Sequence, residues 1–215
     1  MSPRAPRASA VATRERLLAV GLELFHARGY HAVGIQEVVD AAGIPKGSFY
    51  NHFRSKQELA ITALQQYAAH SPVDLLWSTP EGPRAGIRAH FEELERRFVD
   101  ADLMRGCMLG NFANEIADRD ETVRNLLTGL FEAWAEVLTD ALRQAETSES
   151  VRLAMPADQL AGVILSLWEG AITRARAAQS EEPLRQFFDV VFGDLIPDPS
   201  VDDATATTPV DRDNR

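Results

Sequence analysis

The 215-residue chain is predicted to be all-α, with about nine helices: an N-terminal helix-turn-helix domain of three helices, then a larger helical body. Two observations predict this. Apolar residues recur three and four apart, the spacing of one helix face, and alternation at every second residue is almost absent. Between these segments stand glycines, prolines and capping residues that start and stop helices.

Leu18, Leu22 and Phe25 mark a helix over about residues 13–27, ended by Gly29. A short helix follows, Ile35 to Ala42, with Val38 and Val39 inward, and Gly43 stops it. Pro45 suits a helix start, and the next helix spans about Lys46 to His52. Ser55 can cap a fourth, from Lys56 to about His70. The stretch "HSPVDLLWSTPEGP" is a break with three prolines. Beyond it, Ile87, Phe91, Leu94 and Phe98 mark one helix and Cys107 to Ala117 a short one. Val123 to Leu138, residues 157–178 and residues 183–196 mark three more. The ending "PDPSVDDATATTPVDRDNR" has almost nothing apolar to bury and reads as a disordered tail from residue 197. Residues 1–10 read as a loose arm.

Composition is that of an ordinary globular protein, 45% hydrophobic and 25% charged. No apolar run approaches the roughly 20 residues of a membrane-spanning helix, and no apolar run follows the basic N-terminus as in a secretory leader. No membrane association and a cytoplasmic location are therefore expected. A single cysteine, Cys107, rules out an intramolecular disulfide and suits a reducing compartment. Net charge is −10, unevenly spread: residues 1–56 hold eight basic and four acidic side chains, and the remainder 14 and 28. A basic head on an acidic body points to a polyanion met by the head alone.

The head contains "VGIQEVVDAAGIPKGSFYNHF", the grammar of a helix-turn-helix: a short amphipathic helix, a glycine turn, an apolar Ile44 in the angle, and a second short helix. Phe49 and Phe53, four apart, face inward. Lys46, Gly47, Ser48, Tyr50, Asn51 and His52 are left on the other faces. The second helix of such a motif enters the major groove of double-stranded DNA.

From about Arg14 to Leu64 the sequence resembles the DNA-binding domain of the TetR family of bacterial repressors. The strongest signature reads Tyr50, Asn51, His52, Phe53, Arg54, Ser55, Lys56, Gln57, Glu58. The resemblance implies phosphate contacts from Tyr50, His52 and Lys56, and base or phosphate contacts from Gln36, Lys46, Gly47, Ser48 and Asn51. Two positions depart from the pattern. Gly34 stands where threonine is usual and Pro45 where serine or threonine is common, so two hydroxyl contacts are absent.

The resemblance also implies that the C-terminal helices bind a small-molecule effector and form a homodimer on a palindromic operator. The domains are then residues 1–10 (arm), 11–56 (DNA-binding), 57–196 (effector-binding and dimerisation) and 197–215 (tail). Wide apolar stripes on the last two helices suit a symmetric four-helix pairing, with Leu160, Ile164, Leu167, Leu184, Phe187, Phe188 and Val191 as the expected interface. Phe98, Met104, Met108, Phe131, Trp134 and Trp168 supply large apolar side chains for an effector pocket. The segment "MRGCMLGNFANEIADRDETVR" is similar to one in the branch that includes repressors of N-ethylmaleimide reductase and of acrylate utilisation. That similarity adds Cys107 and Asn111 to the pocket and, in part of that branch, makes the cysteine an electrophile sensor. Asp102 can cap the helix there, placing Cys107 in its first turns, where the dipole favours a thiolate. An inert buried cysteine and a reversible hydrophobic effector fit the same residues.

Enzymatic function has no support. There is no nucleophile elbow, phosphate loop or His/Cys cluster with ligand spacing, so no catalytic residue, metal or cofactor is expected. Glu115, Asp118, Asp120 and Glu121 read as a solvated helix end. The remaining alternative is a helical interaction protein without DNA function.

Overall fold

The computed structural model describes residues 6–199, with side chains from residue 10 onward. Residues 1–5 of the expected arm and 200–215 of the expected tail lie outside the described residues. Among the described residues there are helices and no strands. In order they are α1 (Pro6–Arg28), α2 (Ile35–Ala42), α3 (Lys46–Phe49), α4 (Lys56–Ala69), α5 (Leu75–Ser78) and α6 (Pro83–Val99). Then come α7 (Met108–Ile116), α8 (Glu121–Ser148), α9 (Ala157–Ala178) and α10 (Glu182–Asp189), which runs into a π-helical turn, Val190–Leu195.

Four elements differ from expectation. α1 starts at Pro6, not Thr13: proline is tolerated in a first turn, and the alanine-rich stretch after it propagates helix well. α5 is an added helical turn inside the proline break, anchored by the buried Leu76. α3 is shorter than expected, and residues 50–52 continue as tight turns, with Asn51 N–H bonded to Ser48 O at 3.2 Å and His52 N–H to Phe49 O at 2.9 Å. α7 starts at Met108, with Cys107 as its N-cap. Asp102 does not cap it, since Asp102 and Leu103 sit in a left-handed turn at φ 53° and 57°.

The described residues form two compact units interleaved in sequence: 6–71 with 100–133, and 72–99 with 134–199. In the first, Leu17, Phe25, Val38, Phe49, Phe53 and Leu59 are buried together with Met108 and Phe112 of α7. α1 and α4 approach closely at Gly21, where an added Cβ would lie 2.9 Å from Leu59 Cδ2.

In the second unit, the rings of Phe91, Trp168 and Phe187 lie 5.0–5.4 Å apart, centroid to centroid. Beside them His90 is fully buried. Trp134 Nε1–H donates to His90 Nε2 at 3.1 Å, and His90 Nδ1 lies 3.0 Å from Pro72 O. An indole nitrogen only donates and a carbonyl only accepts, so the ring is neutral with its proton on Nδ1. Burial lowers the pKa of His90 below its ordinary 6.5, and burial also lowers that of His26 in the first unit. Above pH 6.5 neither group distinguishes folded from unfolded chain. Below it the unfolded chain takes up protons that the folded chain refuses, so stability falls as pH falls. Folding free energy is expected to fall below pH 6.5, by at most about 1.4 kcal/mol per pH unit for each histidine, and the melting temperature with it between pH 7.5 and 5.5. His90→Gln should show a shallower slope in calorimetry.

Candidate nucleic-acid interface

The motif lies in the first unit, and each of its joints has a local cause. α2 begins at Gly34, which offers no side-chain cap, as expected. It ends at Gly43 in the left-handed region, φ 63°. Gly43 N–H bonds Asp40 O and Ile44 N–H bonds Val39 O, closing the orphan carbonyls of α2. Pro45, at φ −58°, is the N-cap of α3 rather than its first residue. Ser55 Oγ caps α4 by accepting from Glu58 N–H at 3.1 Å, and Glu58 Oε2 accepts from Arg54 N–H at 2.7 Å. These two bonds, a variant of the capping box in which the carboxylate reaches the residue before the N-cap, fix α4 immediately after the recognition segment.

Phe49 and Phe53 back the segment from inside, with exposures of 0% and 1% and ring centroids 5.9 Å apart. The Arg14 guanidinium lies 4.7 Å from the Phe53 ring centroid. Outward stand Gln36, Lys46, Gly47, Tyr50 and Asn51, all exposed, with Ser48 and His52 half-buried. Tyr50 is 54% exposed, its ring set edge-on against Phe49 at 5.3 Å. An added Cβ at Gly47 would meet nothing within 4 Å, so packing does not require glycine there. Gln36 Nε2–H donates to Asp40 Oδ1 at 2.8 Å, which leaves the carbonyl end of its amide outward.

Lys56 is placed differently from the other seven. Its Nζ donates to Tyr30 O and Val33 O, both at 3.0 Å, and lies 4.1 Å from the centre of the Tyr30 ring. Burial lowers its pKa, opposed by the Glu115 carboxylate. Two hydrogen bonds from the ammonium thus hold the α1–α2 turn. Lys56→Ala is accordingly expected to cost stability as well as DNA affinity, about 1–3 kcal/mol by thermal unfolding.

Glu115 and Asp120 are not a merely solvated end. Glu115 Oε2 accepts from His31 N–H at 3.0 Å, and Asp120 Oδ2 accepts from Gln57 Nε2–H. These partners lie 84 and 63 residues away, a separation at which local pattern carries no signal.

The residues expected around an effector fall in both units. In the first, Cys107 is 7% exposed, Met108 is fully buried and Met104 is 54% exposed. Asn111 Nδ2–H donates to Arg105 O at 2.8 Å, and Phe131 is half-buried. In the second, Phe98 and Trp168 are buried and Trp134 is half-buried. Of the residues expected at a dimer interface, Leu160, Ile164, Leu184, Phe187 and Val191 are buried within the chain itself, Phe188 is half-buried and Leu167 is 38% exposed. Val163 and Val190, on the same elements, are also exposed. Among the described residues no three His, Cys, Asp or Glu side chains are grouped to hold a metal ion, and no helix is long and apolar enough to cross a membrane.

This helix-turn-helix with an outward polar and aromatic face defines a DNA-binding transcriptional regulator, and the chain belongs to the TetR family. Residues 17–63 match the family described as bacterial regulatory proteins, tetR family, and residues 83–190 match the LmrA/YxaF-like transcriptional regulator C-terminal domain. The chain is 30% identical to the HTH-type transcriptional repressor DhaR of Mycobacterium sp. (strain GP1), over 86% of this chain and 92% of DhaR. It is 31% identical to the HTH-type transcriptional repressor NemR of Escherichia coli (strain K12), over 80% of this chain and 88% of NemR. The crystal structure of E. coli NemR in its reduced form superposes with a TM-score of 0.81, covering 88% of this chain and 99% of that one.

Proposed function

We propose that the protein is a cytoplasmic, dimeric, ligand-responsive repressor that binds a palindromic operator and has no enzymatic activity. The observation that carries this is the recognition segment. Lys46, Tyr50 and Asn51 project outward from a backing fixed by the buried Phe49 and Phe53. Tyr50, His52 and Lys56 contact phosphates, while Gln36, Lys46, Gly47, Ser48 and Asn51 reach bases and adjacent backbone. The open space at Gly47 lets DNA approach the backbone closely.

Dimerisation uses the apolar surface that the second unit leaves exposed, Val163 and Leu167 on α9 with Val190 after α10. A two-fold pair presents two recognition segments, and hence reads two half-sites about one or more helical turns apart. The effector acts at the Cys107 segment. Cys107 occupies the N-cap position of α7 without a side-chain cap bond, and Arg105 stands two residues before it. A relative solved in a reduced form and the position of the single cysteine at the start of α7 support a thiol-based sensor of oxidants or electrophiles. The low exposure of Cys107, 7%, supports instead a reversible ligand that packs against an inert thiol.

Alkylation separates the two readings. The electrophile reading expects N-ethylmaleimide to release wild-type protein from DNA of its own upstream region, and Cys107→Ser to bind that DNA normally and ignore the reagent. Cys107 is the one cysteine in the chain, so release of the serine variant by the reagent contradicts thiol sensing.

A further inference from the structure

The turn between α1 and α2, Gly29–Gly34, orients α2 and through it the recognition segment. It is gripped from two sides by residues distant in sequence. Lys56 holds the carbonyls of Tyr30 and Val33 from one side. From the other, α7 holds the opposite polarity: Glu115 Oε2 accepts from His31 N–H at 3.0 Å, and the His31 ring donates from Nε2 to Glu115 O at 3.1 Å. Gly29 sits at φ +81°, and an added Cβ there would come within 1.9 Å of Glu115 Oε1, so the carboxylate lies directly on the turn backbone. Tyr30 completes the contact, packing edge-on against Phe112 of α7 at 5.9 Å. The segment leading into α7 is also tied to α1. His26 Nε2–H donates to Gly106 O at 2.9 Å, one residue before Cys107, and Arg105 pairs with Glu23.

We infer that Glu115 is a positioning residue for DNA recognition: through its clasp on Gly29 and His31, α7 sets the attitude of the helix-turn-helix. α7 is thereby a short brace, with the proposed effector segment at its first residue and the turn that orients α2 against its last ones. A displacement at residues 105–108 is delivered to the turn without passing through the recognition segment. This rests on the regulator reading above and names the residue that connects its two sites.

The test compares Glu115→Ala, Glu115→Gln and Glu115→Asp in the full chain. Glutamine keeps an acceptor at the same reach, while alanine removes it and aspartate withdraws it by one methylene. Hydrogen exchange of the amides of residues 29–33 is read without DNA. Affinity for double-stranded DNA from the protein's own upstream region is read by fluorescence anisotropy. Expected are turn amides that exchange about tenfold faster in the alanine and aspartate variants and within about twofold of wild type in the glutamine variant. Affinity losses should follow the same order while the melting temperature changes little. Unchanged exchange in both alanine and aspartate variants overturns the inference, as does a glutamine variant as impaired as alanine. Should the alanine variant melt too early to be read, the aspartate–glutamine pair carries the comparison. If wild type fails to bind DNA yet the exchange pattern appears, the regulator reading fails and the clasp stands.

Discussion

Trp168→Ala is expected to destabilise the second unit by about 3–5 kcal/mol, the largest single effect on stability. The indole is 1% exposed and enclosed by Phe91 and Phe187, with ring centroids 5.4 and 5.1 Å away. Its removal loses the transfer free energy of a large aromatic side chain. It also leaves a cavity that α6, α9 and α10 cannot close, because each is fixed by further buried contacts such as Ile87, Ile172 and Leu184. At about 2–4 °C per kcal/mol for a chain of this size, calorimetry should show a drop of roughly 10 °C. Trp168→Phe, which keeps an aromatic ring, should recover a large part of it. A drop of a degree or two would mean that the cluster is not the centre of that core.

The double substitution of Lys46 and Tyr50 by alanine is expected to have the largest effect on function. Both side chains are exposed, and the buried packing behind them rests on Phe49 and Phe53. Each lost contact is worth about 1–1.5 kcal/mol and the proposed dimer loses two in each protomer, so affinity should fall by roughly 10³–10⁴-fold. The salt dependence should weaken too, because fewer counterions are displaced per complex. Circular dichroism and melting temperature should match wild type. Lost helical signal in step with lost binding would move these residues from the DNA surface to the core.

The motif was legible in sequence because its determinants are local. Gly43, Pro45, Phe49, Phe53 and the Ser55–Glu58 pair act within a few residues of one another, and capping and turn rules read them directly. Lys56 shows where that stops. The family pattern identifies it, but the carbonyls of Tyr30 and Val33, 26 and 23 residues earlier, decide that it points inward. The clasp of Glu115 is hidden for the same reason: a carboxylate near a helix end looks solvated until the fold brings a turn to it. Helical periodicity marks the stripe of Leu160, Ile164, Leu184 and Phe187 correctly as apolar. It cannot distinguish a stripe covered by the chain's own helices from one left for a partner, and the outward residues Val163, Leu167 and Val190 emerge only with the packing. Nor does periodicity indicate that residues 100–133 pack with residues 6–71, since that depends on contacts across the whole intervening stretch.

The most direct measurement is fluorescence anisotropy of the purified full chain on double-stranded DNA from its own upstream region, titrated at several salt concentrations beside scrambled DNA of equal length. A DNA-binding repressor predicts tight binding to the upstream DNA, much weaker binding to the scrambled DNA, and a logarithmic affinity that falls linearly with logarithmic salt. Equal, weak affinity for both DNAs at every salt concentration would contradict it.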